Sequence, residues 1–213
     1  MKQRTQYTTF FTILLLGVIT CLIGCATTGI ERSENVTTTM QTVAEEINQV
    51  NVLLDATGAS LEDLTNLGQS DVGKAFDSYS ANVVKMDNLE KQFAKHADEM
   101  RSRGIEYFAE WKKQGDEYTN PQIRELSEQR RAALSEVYGK IAEASIEVKS
   151  AFQAYMSDLK EIQTYLSNDL TPKGINAITP ITEKVVRDGE SLKDVVNSVQ
   201  IAIDRARAEM AQQ

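Results

Sequence analysis

The chain has 213 residues, of which 41% are hydrophobic and 25% are charged, and its formal net charge at pH 7 is -8. This acidic balance argues against a nucleic-acid partner, because phosphate binding needs clustered cations that displace counterions. With only three prolines and 7% aromatic residues, and with much Ala, Glu, Lys, Gln and Ser, the composition favours an all-α protein.

The N-terminal segment has the pattern of an export signal. Lys2 and Arg4 form a basic start, and an apolar run, FFTILLLGVITCLI, follows over residues 10–23. A helix needs about 20 apolar residues to cross a bilayer, and this run is shorter and lacks a cationic cluster after it. We therefore expect residues 1–24 to be a cleaved signal peptide and not a permanent membrane span.

The end of the apolar run, Leu22-Ile23-Gly24-Cys25, resembles the lipobox of bacterial lipoproteins, with Ile23 where Ala or Ser is usual. The resemblance implies that the Cys25 thiol carries lipid and that Cys25 becomes the new N-terminus. Two or three acyl chains make a stable membrane anchor, since each buried methylene contributes about 0.8 kcal/mol. An ordinary signal peptide with a chance cysteine is the alternative.

Two further expectations follow from the residues around the lipobox. Ala26 stands where Asp would mark inner-membrane retention, so we expect an outer-membrane protein that faces the periplasm. The only other cysteine, Cys21, would leave with the signal. The mature chain would then form no disulfide and would depend on helix packing for its stability.

Apolar residues at spacings of three and four mark the helices that follow. We expect residues 25–34 to be a lipidated tether and residues 35–213 to be one helical-bundle domain. The first stripe begins at Val36, and Thr57-Gly58 is expected to end its helix. A separate short helix is predicted from Ser60 through Leu67.

Capping residues mark the three longer helices. Asp71 is the expected N-cap of the second helix, which should stop near Gly115. Asn120-Pro121 is the start signal of the third helix, and residues 168–172 should close it before the fourth helix begins. Pro180, inside the last stripe, predicts a bend.

The three longer helices would each be roughly 60 to 70 Å long, at 1.5 Å per residue. Similar lengths and short turns favour an elongated antiparallel bundle, with the first helix as a shorter fourth member. A parallel oligomeric coiled coil is the alternative. The residues expected to meet across the second turn are Trp111 with Ile123 or Leu126, Met100 with Leu134 or Val137, and Phe93 with Ile141 or Ala144.

The region after the lipobox resembles an uncharacterised bacterial family catalogued as domain of unknown function 2959. Family members usually have Asn where this chain has Thr171. The family has no assigned activity, so the resemblance implies the fold and export but no particular chemistry. The residues that carry it are Phe108-Ala-Glu-Trp111, Tyr118, Asn120, Arg124, Ser127, Tyr138, Phe152, Tyr165-Leu166, Leu170 and Ile175.

One stretch has part of a phosphate-binding motif. Gly68-Gln-Ser-Asp-Val-Gly73-Lys74 matches the first seven positions of G-x-x-x-x-G-K-[ST], but Ala75 lacks the hydroxyl that would hold magnesium. No apolar strand precedes it either. We interpret the stretch as a turn between helices.

Histidine and arginine offer no stronger site. His96 is the only histidine, and because no Glu lies three residues before it, we interpret it as a surface residue. Arg124, Arg130 and Arg131 alternate with glutamates, which favours a solvated, salt-linked face over an anion site. We predict no catalytic residue, metal site or cofactor.

Aromatic residues gather near the second turn. We expect them to pack in the core, with an anchor for a partner protein as the alternative. The candidate interface residues are Tyr107, Phe108, Trp111, Tyr118 and Tyr138.

These patterns favour a non-catalytic envelope lipoprotein. Its bundle would reach from the membrane to a protein partner or to the cell wall, alone or as a homo-oligomer. A ligand-sensing bundle in the periplasm is the alternative, and a hydrolase is a weaker one because no nucleophile, base or metal set is marked.

Overall fold

A computed structural model describes residues 28–66 and 71–211, and every helix in these ranges belongs to one α-helical bundle. Residues 33–213 form one compact unit, and residues 1–32 form another, of which only Thr28–Arg32 is described. The predicted signal peptide and Cys25 lie outside the described residues. The helices are α1 (Gly29–Thr65), α2 (Val72–Asp116), α3 (Pro121–Asn168) and α4 (Pro172–Ala211).

The helix α1 is continuous over 37 residues, so the predicted end at Thr57-Gly58 and the separate helix from Ser60 are wrong. The three-four spacing continues past the glycine, and Leu61 and Leu64 are fully buried there. Thr57 is also buried, and its Oγ1 donates to a backbone carbonyl one turn earlier at 2.7 Å. Burial of two leucines outweighs the helix penalty of glycine, about 1 kcal/mol.

The start of α1 falls inside the segment predicted as a tether. The helix begins at Gly29, and Thr28 Oγ1 accepts a hydrogen bond from the Glu31 amide at 3.2 Å. The last residues of the range 25–34 are therefore helical, whereas residues 25–27 lie outside the described part of the chain.

The predicted caps of α2 and α3 are confirmed. Asp71 Oδ1 accepts from the Lys74 amide at 3.0 Å, and α2 ends at Asp116. Asn120 Oδ1 accepts from the Gln122 amide at 2.9 Å at the start of α3. These side chains satisfy amide donors that the first helical turn leaves without a backbone acceptor.

The α3–α4 turn also lies where the sequence placed it. Thr171 acts as the cap of α4, since its Oγ1 accepts from the Gly174 amide at 3.2 Å and donates to Asp169 Oδ1 at 2.6 Å. Gly174 is required by close packing, because a Cβ atom there would lie 2.4 Å from the Asp169 carbonyl oxygen. The helix α4 continues through Pro180.

Neighbouring helices run antiparallel, which confirms the all-α bundle. Residues early in one helix contact residues late in the next, and this holds around all four. The contacts that fix the directions are His96–Glu46 and Asn82–Ala56 for α1 and α2, Tyr79–Leu159 and Trp111–Ser127 for α2 and α3, Arg130–Glu209 and Lys184–Asp158 for α3 and α4, and Asn51–Asn197 and Lys193–Asp55 for α1 and α4.

The register of the α2–α3 hairpin differs from the prediction by about one helical turn or less. Trp111 meets Ser127 where Ile123 or Leu126 was expected. The Met100 carbonyl oxygen accepts a hydrogen bond from Tyr138 Oη, next to the expected Val137. The antiparallel hairpin is confirmed, and its residues meet slightly further along α3.

Ile123 and Leu126 were expected to meet Trp111 across the turn, and this is wrong, because Trp111 bonds to Ser127 and the two residues are 49% and 66% exposed. Arg130 pairs with Glu209, and the described part of α4 ends at Ala211, about half a turn later. The first two turns of α3 therefore extend past the described end of α4, and no described residue of α4 lies level with them.

The interior of the bundle is filled along all four helices. None of the four, within the described ranges, holds a stretch apolar enough to cross a membrane. The largest fully buried side chains are Tyr79, Phe93, Phe152, Met40, Ile47, Leu61, Leu64, Met86, Met100, Leu134, Ile141 and Leu159.

Candidate functional site

The turn between α2 and α3, with the adjoining helix ends, forms a structured hairpin tip, residues 111–127. Trp111 Nε1 donates to Ser127 Oγ at 3.0 Å across the two helices. Arg124 donates through Nη2 and Nε to the Tyr118 carbonyl oxygen at 2.6 and 3.1 Å. These bonds join both helices to the turn, so the tip is a preorganised surface.

The candidate interface residues divide into two groups. Tyr107, Phe108 and Tyr138 are buried, and Trp111 is half-buried. Their rings meet edge to face, with centroids 5.0 Å apart for Tyr107 and Phe108 and 5.6 Å apart for Phe108 and Tyr138. This geometry supports core packing. Only Tyr118, 40% exposed, presents its ring at the surface.

The apolar surface of the hairpin tip consists of Tyr118, Ile123 and Leu126. The sequence pattern did not predict this surface, since Ile123 and Leu126 were expected to pack against Trp111. Acidic and basic side chains balance around this surface, and several are paired, as in Lys112–Asp116 at 2.7 Å. The charged residues of positions 110–131 are Lys112, Lys113, Arg124, Arg130 and Arg131 against Glu110, Asp116, Glu117, Glu125 and Glu128.

Each arginine once considered as an anion site has a partner in the structure. Arg124 binds the carbonyl of the turn, and Arg130 donates to the carboxylate and the backbone carbonyl of Glu209. Arg131 pairs with Glu128 within α3. The three cations thus stabilise the hairpin turn, the contact between α3 and α4, and the helix α3 itself.

His96 was predicted to be a surface residue, and this is wrong. Its side chain is 29% exposed, and Nδ1 lies 2.6 Å from Glu46 Oε1 on α1, whose side chain is only 9% exposed. Both residues stand one position off the apolar stripe, where they face the seam between α1 and α2. A polar residue directly beside a core position on each helix was the signal that such a pair can form.

A second polar contact lies further along the same seam. Asn82 Nδ2 donates to the Ala56 carbonyl oxygen at 3.1 Å and to Ser60 Oγ at 3.3 Å. Buried polar groups favour the alignment that pairs them, because any slip would leave them without partners. We infer that this seam fixes the register of α1 on α2.

The surroundings of the His96–Glu46 pair were compared with what a metal ion would need. Among the described residues, no three His, Cys, Asp or Glu side chains are placed together to hold a metal ion. Glu46 Oε2 is buried and has no hydrogen bond to any described residue.

Three buried tyrosines line the α3 side of the core. Tyr79 Oη donates to the Leu159 carbonyl oxygen at 2.6 Å, and desolvation raises the pKa of Tyr79 well above its usual range. Burial raises the pKa of Tyr138 and of Tyr155 in the same direction. Tyr155 packs on Gly189, whose Cβ would lie 3.2 Å from the hydroxyl. All three phenols are neutral in the folded protein near pH 7.

The stretch that resembles a phosphate-binding loop is only partly described, since residues 67–70 lie outside the described ranges. In the described part, Asp71 caps α2 and Gly73 and Lys74 form its first turn. The Lys74 amide is used by that cap, which supports the interpretation as a helix start.

A groove of about 380 Å³ runs along the surface between α3 and α4. Its lining is mostly apolar, and Lys140 and Arg205 are among the lining residues. Within the described ranges, the Arg205 guanidinium has no ion pair, whereas Lys140 pairs with Glu143 at 3.1 Å. The other lining residues are Glu136, Val137, Ala144, Ser198, Ile201 and Ala202.

A family model described as a protein of unknown function (DUF2959) matches residues 26–212. No curated protein and no solved structure matches the chain.

Proposed function

The chain belongs to the DUF2959 family of proteins of unknown function. From the lipobox-like residues 22–25 and the packed helical bundle, we propose that it is a non-catalytic envelope lipoprotein. It would be anchored through Cys25 in the outer membrane and would act in the periplasm as a structural or protein-interaction module. Its partner would be another envelope protein or the cell wall.

The observation that carries this proposal is the filled interior of the bundle. Large side chains are fully buried along helices of 37 to 48 residues, which corresponds to roughly 55 to 72 Å per helix. A packed interior of this length leaves the outer faces and the hairpin tip as the surfaces that can bind. This supports a role as a spacer or docking module more than a ligand-binding role at a site enclosed between the helices.

The anchor is tested by labelling with a palmitate analogue and by membrane fractionation. We expect Cys25→Ser to abolish labelling and to block cleavage of the signal. The matched control is Cys21→Ser, which alters the other cysteine and should leave labelling and cleavage intact. Undiminished labelling of the Cys25→Ser protein would contradict the lipoprotein assignment.

The α3–α4 groove supports a second candidate, a ligand-binding bundle. Its mostly apolar lining and the unpaired Arg205, among the described residues, suit an amphiphile with an anionic head. A fatty acid should then raise the melting temperature of the wild type but not that of Ala144→Trp, which fills the groove. Equal shifts in both proteins would exclude the groove as the binding site.

A further inference from the structure

The hairpin tip carries an exposed apolar surface at one end of the compact unit, and we propose that this surface lies against the phospholipid bilayer beside the anchor. Tyr118, Ile123 and Leu126 would sit among the lipid headgroups and the first acyl carbons. This inference rests on the proposed acylation of Cys25, and its test separates the two.

The direction of α1 sets which end of the bundle is near the anchor. Because Glu46 contacts His96 and the two helices are antiparallel, the N-terminal part of α1 points the same way as the tip. Ser33 begins the compact unit and lies about 20 Å before Glu46 along α1. This position is level with Ala109 on α2.

The tip reaches further in that direction than Ser33 does. From Ala109 to the end of α2 at Asp116 the helix advances about 10 Å, and the turn follows. Because α1 begins at Gly29, the chain between Cys25 and Ser33 can span at most about 20 Å. An acylated Cys25 would therefore hold Ser33 near the bilayer, and with the helices roughly upright the tip is the part of the unit closest to the lipid.

The chemistry of the tip suits a lipid interface. Leu126 is 66% exposed, Ile123 one turn before it on α3 is 49% exposed, and Tyr118 in the adjoining turn is 40% exposed. Tyrosine is favoured where one end of a side chain is apolar and the other is wet. The turn is already fixed by Arg124, so contact with lipid would order few additional groups.

Charge distinguishes this contact from ordinary electrostatic membrane binding. Acidic and basic residues are equal in number over positions 110–131, so the tip has no net charge to attract anionic lipid. Insertion should therefore proceed on zwitterionic bilayers and should depend little on salt.

The test uses the full acylated protein with a single reporter on the tip. Cleavage removes Cys21 and acylation blocks Cys25, so Leu126→Cys gives one free thiol for an environment-sensitive dye. The protein is placed in vesicles of phosphatidylcholine that contain lipids with brominated acyl chains. We expect several-fold stronger quenching at position 126 than at the matched control Val52→Cys, which is 70% exposed on the same bundle.

A second variant separates insertion from simple nearness. With the dye on Ile123→Cys, the added change Leu126→Asp should remove the quenching while the protein still floats with the vesicles. Because Leu126 is mostly exposed, the melting temperature of this variant should stay within a few degrees of that of the wild type. Retained quenching in this variant overturns the inference.

The remaining outcomes are also decisive. Protein that fails to float with vesicles shows that acylation, and with it the proposed function, is wrong. Protein that floats but shows equal, weak quenching at positions 126 and 52 overturns the tip contact alone. If the tip label is instead shielded from aqueous iodide without any vesicles, a second copy or another protein covers this surface and the lipid contact is excluded.

Discussion

Gly104 of α2 lies directly against the ring of Tyr138 of α3, so closely that a Cβ atom at position 104 would stand 2.1 Å from Tyr138 Cε1. The ring has little freedom to move away. Its hydroxyl donates to the Met100 carbonyl oxygen, and its edge packs on Phe108. Gly139, the next residue along α3, has open space where its Cβ would be.

These two glycines predict opposite effects of the same substitution. Gly104→Ala should destabilise the fold by about 1 to 3 kcal/mol, because overpacking outweighs the gain in helix propensity. Gly139→Ala should stabilise it by up to about 1 kcal/mol. Urea unfolding followed by circular dichroism measures both, and equal stabilisation by the two changes would contradict the close contact with Tyr138.

The His96–Glu46 pair predicts an asymmetric double-mutant cycle. His96→Leu leaves the Glu46 carboxylate, whose side chain is only 9% exposed, without its partner. This change should lower the free energy of unfolding by about 2 to 3 kcal/mol. Glu46→Leu leaves a half-buried imidazole that water still reaches, and should cost less than about 1 kcal/mol. The double change should be near the wild type in stability.

The control for this cycle is the pair of Lys140 and Glu143, in contact at 3.1 Å but with side chains 64% and 71% exposed. Its coupling should be no more than about 0.5 kcal/mol. If the His96–Glu46 coupling is equally small, the polar seam does not hold the register of α1.

The buried tyrosines predict a loss of stability in alkali. Burial raises the pKa of Tyr79, Tyr138 and Tyr155 above the ordinary value of 10.0, so their folded-state phenols stay protonated while unfolded ones ionise. The unfolded state therefore binds fewer protons as pH rises past 10, and the free energy of unfolding falls. Below the unfolded pKa this contribution is fully present.

Urea midpoints at pH 8, 10 and 11 test this expectation, and absorbance at 295 nm follows phenolate formation. The phenols of Tyr79, Tyr138 and Tyr155 should ionise only as the bundle unfolds. Tyr155→Phe should flatten the alkaline slope at little cost in stability, because the Tyr155 hydroxyl is buried without a hydrogen bond to any described residue. An unchanged slope would show that Tyr155 is not a source of the alkaline sensitivity.

Local signals in the sequence predicted the helix ends well. Asp71 and Asn120 are caps whose side chains act within three residues, so no other helix is needed to recognise them. The spacing of apolar residues likewise predicted the faces that pack. Gly58 was misjudged because a local stop signal competes with a stripe that continues to Leu64 and is buried by other helices.

The errors at the candidate sites have a non-local cause. Ile123 and Leu126 have the spacing of core residues, but the described part of α4 does not reach the level of α3 where they lie. His96 lies 50 positions from Glu46, and nothing near it in the sequence marks the partner. Exposure at a helix end and pairing across a seam both depend on the register of one helix on the next. The spacing of apolar residues predicted the register of α2 on α3 only to within about one helical turn.

The α2–α3 hairpin gives the last prediction, since it decides between a bundle within one chain and a coiled coil between chains. Asp98 and Lys149 lie opposite each other, with 3.8 Å between Oδ2 and Nζ. Residues 26–213 contain no cysteine, so Asp98→Cys with Lys149→Cys introduces the only thiols. A short bismaleimide should join them within one chain, at a rate that does not fall on dilution.

The matched control is Asp98→Cys with Lys160→Cys. Lys160 lies about 16 Å further along α3 and pairs with Asp87 instead, so the same reagent should not bridge this pair. Asp98, Lys149 and Lys160 are all exposed and charged, which keeps the cost of the substitutions small. If the Asp98 and Lys149 variant forms only cross-linked dimers, at every dilution, the hairpin is not intramolecular and the oligomeric coiled coil takes its place.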